Sequence, residues 1–291
     1  MIYEVKHKTV YEYQSMVSLC HNIVFQVSGN NTLQEINSSK CTIDPEPNFI
    51  MEREDFFENK YFYFSLQKAH KKLVVESTNE ITVHPPTWLS INPAETPAWE
   101  SVVKLLQSID TSNDIRQFYL ESPHVTFLTA IRAYALVSFT PNRPIMEAMH
   151  ELNTRIYTDF TFTPGFTEIS TPLEEVFKHK KGVCQDYAHF GLACVRSIGL
   201  SARYISGYIE TIPPPGKPKL AGADASHAWM SLYIPDIGWV EFDATNNLLV
   251  SDQHIRVAKG RDFSDVVPLK GIVYSGGGQH MTVTVDVTRK N

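Results

Sequence analysis

The first 85 or so residues carry their apolar positions in short runs rich in β-branched and aromatic side chains, the composition of strands. Tyr3 and Val5 open a strand that continues through Val10, Tyr11 and Tyr13. Further strands are predicted at 22–27, 40–43, 60–66, 72–77 and 81–83, with turns at Gly29-Asn30-Asn31 and Asp44-Pro45-Glu46-Pro47-Asn48. Such a series predicts a β-sandwich-like domain over 1–85. Prolines at 85, 86, 93 and 97 then end the pattern, because proline lacks the N–H that an element interior needs, and 86–97 reads as a connector. From Ala98 the period becomes helical, predicting helices at 99–106, 115–120, 126–139 and 144–157. A short helix follows, capped by Ser170 or Thr171 with Pro172 in its first turn. The stripe Ala188, Leu192, Val195 predicts one more, stopping at Gly199. Strands return at 202–209, 225–234, 239–245, 266–268 and 281–287, with a tight surface loop at Pro213-Pro214-Pro215-Gly216-Lys217-Pro218. Helices followed by strands predict an α+β fold, with a second domain over 98–291 and its core motifs at 150–250.

Composition narrows the function. With 43% hydrophobic and 20% charged residues the chain has the material for an ordinary globular core. A net charge of −6 without any basic block argues against nucleic acid or an anionic membrane as partner. No apolar run is long enough to span a bilayer, and Met1 to His7 reads as a first strand, not a signal peptide. Cys20, Cys41, Cys184 and Cys194 are too sparse for a disulfide framework and form no CxxC pair, so a reducing cytoplasm is the expected setting. No EF-hand loop or ligand-spaced acidic cluster is present, and neither a metal ion nor another cofactor is expected.

The candidate chemistry centres on Gly182-Val183-Cys184-Gln185-Asp186-Tyr187-Ala188-His189. A cysteine at a helix start meets unpaired backbone N–H groups and the positive end of the helix dipole, and both favour the nucleophilic thiolate. Downstream, His227, Trp229, Ser231 and Tyr233 form one face of a strand whose other face is apolar, and Asp243 lies on the next strand beyond a short reversal. Pairing the apolar faces places Asp243 opposite Trp229 and diagonal to His227, about 7–8 Å away between Cα atoms. A carboxylate there would fix the imidazole tautomer, and the imidazole would take the thiol proton. Cys184, His227 and Asp243 thus form a nucleophile, base and orienter set. Glu241 shares the face of Asp243 and is a rival orienter, while Asp243 could equally cap the Asn246-Asn247 turn. Asp186 suits the first helical turn. His189 falls about 500° around the helix from Cys184 and is expected to support the site without reacting. Tyr204, Trp229 and Trp239 are candidates for the cleft wall, and Cys194 for the core.

The cysteine motif resembles that of the bacterial transglutaminase-like proteins, members of the transglutaminase-like superfamily that are described as candidate cysteine proteases. So do Ala202-Arg203-Tyr204-Ile205-Ser206-Gly207-Tyr208, Asp224-Ala225-Ser226-His227-Ala228-Trp229, Gly238-Trp239-Val240-Glu241-Phe242-Asp243-Ala244-Thr245-Asn246 and the 257–266 segment. Asp55-Phe56-Phe57-Glu58-Asn59 stands where the family usually has Asp-x-Phe-Gly-Asn, so the likeness covers essentially the whole chain. It implies a papain-like core in which Cys184 is the nucleophile, His227 the base and Asp243 the orienter, acting on peptide or protein amides by hydrolysis or by transfer to an amine. The competing expectations are a binding or scaffolding module that keeps the fold without turnover, and a metal site built from Cys184, His189 and His227.

Overall fold

The computed structural model describes residues 1–26, 29–108, 111–211 and 224–290, so the 213–218 loop lies outside the described residues. In chain order the strands and helices are β1 (Ile2–Val17), β2 (Leu19–Val24), β3 (Gln34–Asp44), β4 (Phe49–Glu54), β5 (Lys60–Leu66), β6 (His70–Val83), α1 (Trp99–Leu106), α2 (Asn113–Arg116), α3 (Thr129–Ser138), α4 (Ile145–Asp159), β7 (Thr161–Phe162), α5 (Leu173–His179), β8 (Lys181–Gly182), α6 (Cys184–Ser197), β9 (Ala202–Ile209), β10 (Ser226–Ile234), β11 (Gly238–Asp243), β12 (Leu248–Leu249), β13 (His254–Gly260), β14 (Leu269–Tyr274) and β15 (Gln279–Arg289). None of the described helices is long and apolar enough to cross a membrane.

The α+β class holds, with strand boundaries shifted where polar residues face inward. The stretches 72–77 and 81–83 are one strand, β6, because Ser77 and Asn79 occupy buried positions in the same alternation as Leu73, Val75, Ile81 and Val83. Asn79 is accommodated there by donating Nδ2–H to the Gln26 carbonyl at 3.1 Å. β4 carries no pattern to read, since its residues are exposed or half-buried. In place of a strand at 266–268, β14 begins at Leu269, and the Pro268 carbonyl accepts from Phe25 N–H at 2.8 Å. Pro172 occupies the N-cap position of α5 without a side-chain capping bond, while the Thr171 hydroxyl accepts from Glu168 N–H at 2.9 Å.

Among the described residues three antiparallel sheets result, in the orders β15-β1-β6-β3, β14-β2-β5-β4 and β12-β11-β10-β9-β13. The strands at 269–289 therefore complete the two N-terminal sheets and do not extend the core sheet. One face of the long β1/β6 ladder serves two neighbours. Tyr13, Leu73 and Val75 pack on Cys20, Val24, Phe64 and Leu66 of the second sheet, forming the sandwich interior. Tyr3, Val5, Ile81 and Val83, at the other end, join the main core with α6 and β10. Between the two ends the same face carries the buried polar residues His7 and Thr9.

The two halves are further tied by side chains that substitute for strand partners on β13. Asn59 donates Nδ2–H to the Lys259 carbonyl at 2.7 Å and accepts from Lys259 N–H at 2.8 Å. Gln34 likewise brackets the backbone of Arg256. Asp55 holds the Asn59 turn by accepting its N–H at 2.8 Å. In that turn Glu58 has φ 64°, the left-handed region that favours glycine, and its carboxylate meets Lys259 Nζ at 2.9 Å. Against the core sheet, α6 approaches β10 closely at Gly191, where a Cβ would sit 2.5 Å from the Met230 sulfur.

Candidate active site

Cys184 is the first residue of α6 and is half-buried. The chain reaches it along β8, which pairs in parallel with β7 (Phe162 with Gly182). Asp186 then secures the helix start, accepting from Val183 N–H at 2.7 Å and from the Thr167 hydroxyl at 2.7 Å. Gly182 makes room for this carboxylate, since a Cβ there would fall 2.4 Å from Asp186 Oδ2. Burial raises the Asp186 pKa against the pull of those two hydrogen bonds. Cys194, on the same helix, is fully buried, and desolvation pushes its thiol up; it belongs to the core.

On the sheet, β10 pairs with β11 in the register that sets Met230 against Phe242. The next step along brings Asp243 opposite Trp229 and beside His227. His227 Nε2 and Asp243 Oδ2 lie 2.8 Å apart. Asp243 is fully buried and also accepts from Asn246 Nδ2–H at 2.7 Å, Thr245 N–H at 3.0 Å and Asn246 N–H at 3.2 Å. It thus does both things the sequence allowed, holding the turn through Oδ1 and the imidazole through Oδ2. Glu241, the rival, is engaged elsewhere. Its carboxylate accepts from Arg256 Nε–H at 2.9 Å and from Trp229 Nε1–H at 2.8 Å.

A residue missed in the sequence completes the cluster. His254 of β13 places Nε2 3.2 Å from Asp243 Oδ2. Burial disfavours the ionised Asp243, but the bonds from His227 and His254 outweigh it and hold the carboxyl well below the usual range. An ionised carboxylate only accepts, so both imidazoles present Nε2–H to it. Burial lowers His227, yet Asp243 and then Cys184 more than reverse this, and the imidazole is pushed up to about 10. Cys184 is among those causes, and it lines the same cavity as His227. Desolvation lowers His254, which stays neutral. His227, Asp243 and His254 also present donor atoms within 4.8 Å of one another, the requirement for a metal site. The 2.8 Å contact, however, is shorter than the roughly 3.3 Å between tetrahedral ligands on a zinc ion, and suits a hydrogen bond.

A cavity of about 760 Å³ opens over Cys184 and His227. Its walls include Gln185, Tyr204 and Asn246 on the core side and His7, Thr9 and Met281 on the sandwich side. Tyr204 is therefore at the cleft. Trp229 and Trp239 are not. Trp229 is buried behind the site, its indole N–H taken by Glu241. Trp239 lies at the other end of β11, packed on Phe118 at 5.3 Å and beneath the Arg203 guanidinium at 4.3 Å. His189 stacks on His124 at 5.3 Å and accepts from Phe263 N–H at 3.2 Å, away from His227, so Cys184, His189 and His227 do not converge as a ligand set. Its burial pushes the imidazole down to about 3.

Residues 135–244 match the transglutaminase-like superfamily, and residues 3–82 match the bacterial transglutaminase-like N-terminal region. An uncharacterized protein of Mycobacterium tuberculosis is 38% identical, over 98% of this chain and 92% of its own. One from Mycobacterium leprae is 26% identical over 98% of each. A solved structure from Cytophaga hutchinsonii, described as a candidate cysteine protease, shares the fold with a TM-score of 0.78 at 20% identity, covering 100% of this chain and 91% of that one.

Proposed function

The chain belongs to the transglutaminase-like superfamily, and from that footing we propose that it is a thiol-dependent acyl-transfer enzyme acting on peptide or protein amides. Cys184 is the nucleophile, His227 the acid–base group and Asp243 its orienter. The observation that carries this reading is an imidazole held at 2.8 Å by the buried Asp243 carboxylate, on the wall of the same cavity that Cys184 lines from the start of α6. The sulfur attacks the amide carbonyl. His227 gives its proton to the nitrogen as the C–N bond breaks, the amine leaves, and a thioester remains on Cys184. Water or a second amine then attacks the thioester, with neutral His227 taking the incoming proton. Water, always present in an open cleft, makes hydrolysis the favoured outcome. The N–H groups of Cys184 and Gln185, first in α6, make no hydrogen bond among the described residues and supply the developing oxyanion with donors. A reducing cytoplasm would keep such a thiol free.

Incubating the protein with a peptide library and analysing it intact by mass spectrometry tests this. An acyl adduct on Cys184, absent from Cys184→Ala, is the expected result. Turnover with no adduct on that residue, or full activity in Cys184→Ala, sinks the proposal.

A further inference from the structure

The wall of the cleft opposite Cys184 is the edge of a sheet. β15 ends the order β15-β1-β6-β3, and the only pairing on its far side among the described residues is an isolated bridge between Val285 and Asp224. The ladder with β1 fixes which β15 groups face outward. Lys290 N–H donates to the Ile2 carbonyl at 2.8 Å and Gln14 N–H to the Gly278 carbonyl at 3.0 Å, so even-numbered residues of β15 bond to β1. In an antiparallel ladder the alternate residues then turn their N–H and C=O groups away. Those are Met281, Val283, Val285 and Val287, and Val287 N–H indeed reaches the Asp224 carboxylate.

Val285 and Val287 are buried, whereas Met281 and Val283 are 52% and 42% exposed. Both of the latter line the cavity that contains Cys184. The protein thus already seats extended backbone on this edge at Asp224, and that segment runs on through Ala225 and Ser226 to His227, all three on the cavity wall. Among the described residues none pairs with the next two outward-facing positions, Val283 and Met281. None of the described residues lining the cavity is Asp, Glu, Lys or Arg. His7, which also lines it, is driven neutral by burial, its imidazole lowered to about 4.

We propose that the acyl donor is an extended peptide of uncharged, apolar residues that adds a strand to β15 through Val283 and Met281 and so delivers its amide to Cys184. This rests on the acyl-transfer reading above and gives the sandwich the task of selecting the substrate. Main-chain pairing supplies affinity without regard to sequence, and a cavity with no Asp, Glu, Lys or Arg among its described lining residues leaves a charged side chain beside Met281 and Val283 without a partner to offset its desolvation.

The test compares rates of Cys184 labelling by peptidyl acyloxymethyl ketones, each divided by the iodoacetamide alkylation rate of the same variant. The probes are a neutral apolar tripeptide, its forms with aspartate or lysine at the middle position, and its backbone N-methylated form. The apolar probe should exceed the charged ones by at least ~30-fold, and N-methylation at the paired nitrogen should cost about 3- to 10-fold. Val283→Pro removes an outward N–H without touching the β1 ladder, a place where an edge strand tolerates proline. It should slow the apolar probe by a similar factor and abolish the N-methyl effect. Met281→Lys, a change at a half-exposed side chain, should shift preference toward the aspartate probe. Labelling of wild type that ignores charge and N-methylation overturns the inference while leaving the thiol chemistry standing. Labelling by iodoacetamide alone overturns the acyl-transfer reading and the inference with it.

Discussion

Replacing Asp243 by Asn is the sharpest probe of the cluster. Asp243 Oδ2 faces three N–H groups, from His227, Asn246 and His254, while Oδ1 faces two more, from Thr245 and Asn246. An amide has one oxygen, so in either orientation its NH₂ opposes donors at a fully buried position. Breaking a buried ion pair at one partner costs about 3–5 kcal/mol, and thermal melting at neutral pH should record a loss of that order. Catalytically, only desolvation and Cys184 then act on His227, and its pKa falls from about 10 toward or below the ordinary value. The imidazolium is depleted at neutral pH, and acylation should drop by about 10²- to 10⁴-fold. Stability against pH gives an independent readout. The folded pKa of His227 lies above its unfolded value of about 6.5, so its contribution is full below pH 6.5 and is lost as pH rises through about 10. Asp243, whose folded pKa is depressed, contributes above its unfolded value of about 3.9 and loses that contribution as pH falls through the folded one. In Asp243→Asn the alkaline decline between pH 6.5 and 10 should flatten. A variant that acylates within about threefold of wild type and keeps that decline would refute the assignment of Asp243 as the group that sets His227.

Three further changes separate support from chemistry. His254→Phe removes one of the hydrogen bonds that hold Asp243 ionised, and should cut the acylation rate by about tenfold, in proportion to a ~1.4 kcal/mol contact; an unchanged rate would show that His254 only fills space. Glu241→Gln leaves the Arg256 guanidinium without its ionised partner in a buried setting and should cost about 3–5 kcal/mol in urea denaturation, while leaving the pH profile of Cys184 alkylation in place; a shifted profile would make Glu241 part of the reacting set. Asp186→Ala deletes the carboxylate that accepts from Val183 N–H, and a loss of about 1 kcal/mol is expected, together with slower alkylation as the first turn of α6 loosens. Equal alkylation rates in wild type and variant would separate the cap from the nucleophile.

The parts of the site governed by local rules were readable in the sequence. Gly182 before a helical stripe put Cys184 at a helix start, and a short reversal between two strands of period 2 fixed the β10/β11 register, which places Asp243 at His227. The same alternation misled at Trp229. It shares the His227 face but sits two residues along, ~6.7 Å away, where Glu241 and not the cleft receives its indole N–H. His254 was invisible for the opposite reason: β13 turns His254 and Arg256 inward, so a buried face reads as polar and no strand is suggested.

What no local rule conveys is that the chain's last strands pair with its first, His7 against Val285 and Thr9 against Val283. That ladder puts Met281 and Val283 across the cavity from a thiol about a hundred residues earlier in the chain. It also explains why β1 keeps His7 and Thr9 on a face that is otherwise apolar. Below them that face closes the sandwich, above them it closes the main core, and at their level it faces the cleft. His7 donates or accepts at the Tyr208 hydroxyl at 2.7 Å, and Thr9 accepts from Gln26 Nε2–H at 3.1 Å, so their polar atoms are satisfied and the wall they form carries no net charge. The cleft is thus the seam between two hydrophobic cores, and the lack of Asp, Glu, Lys and Arg among its described lining residues is a property of that seam.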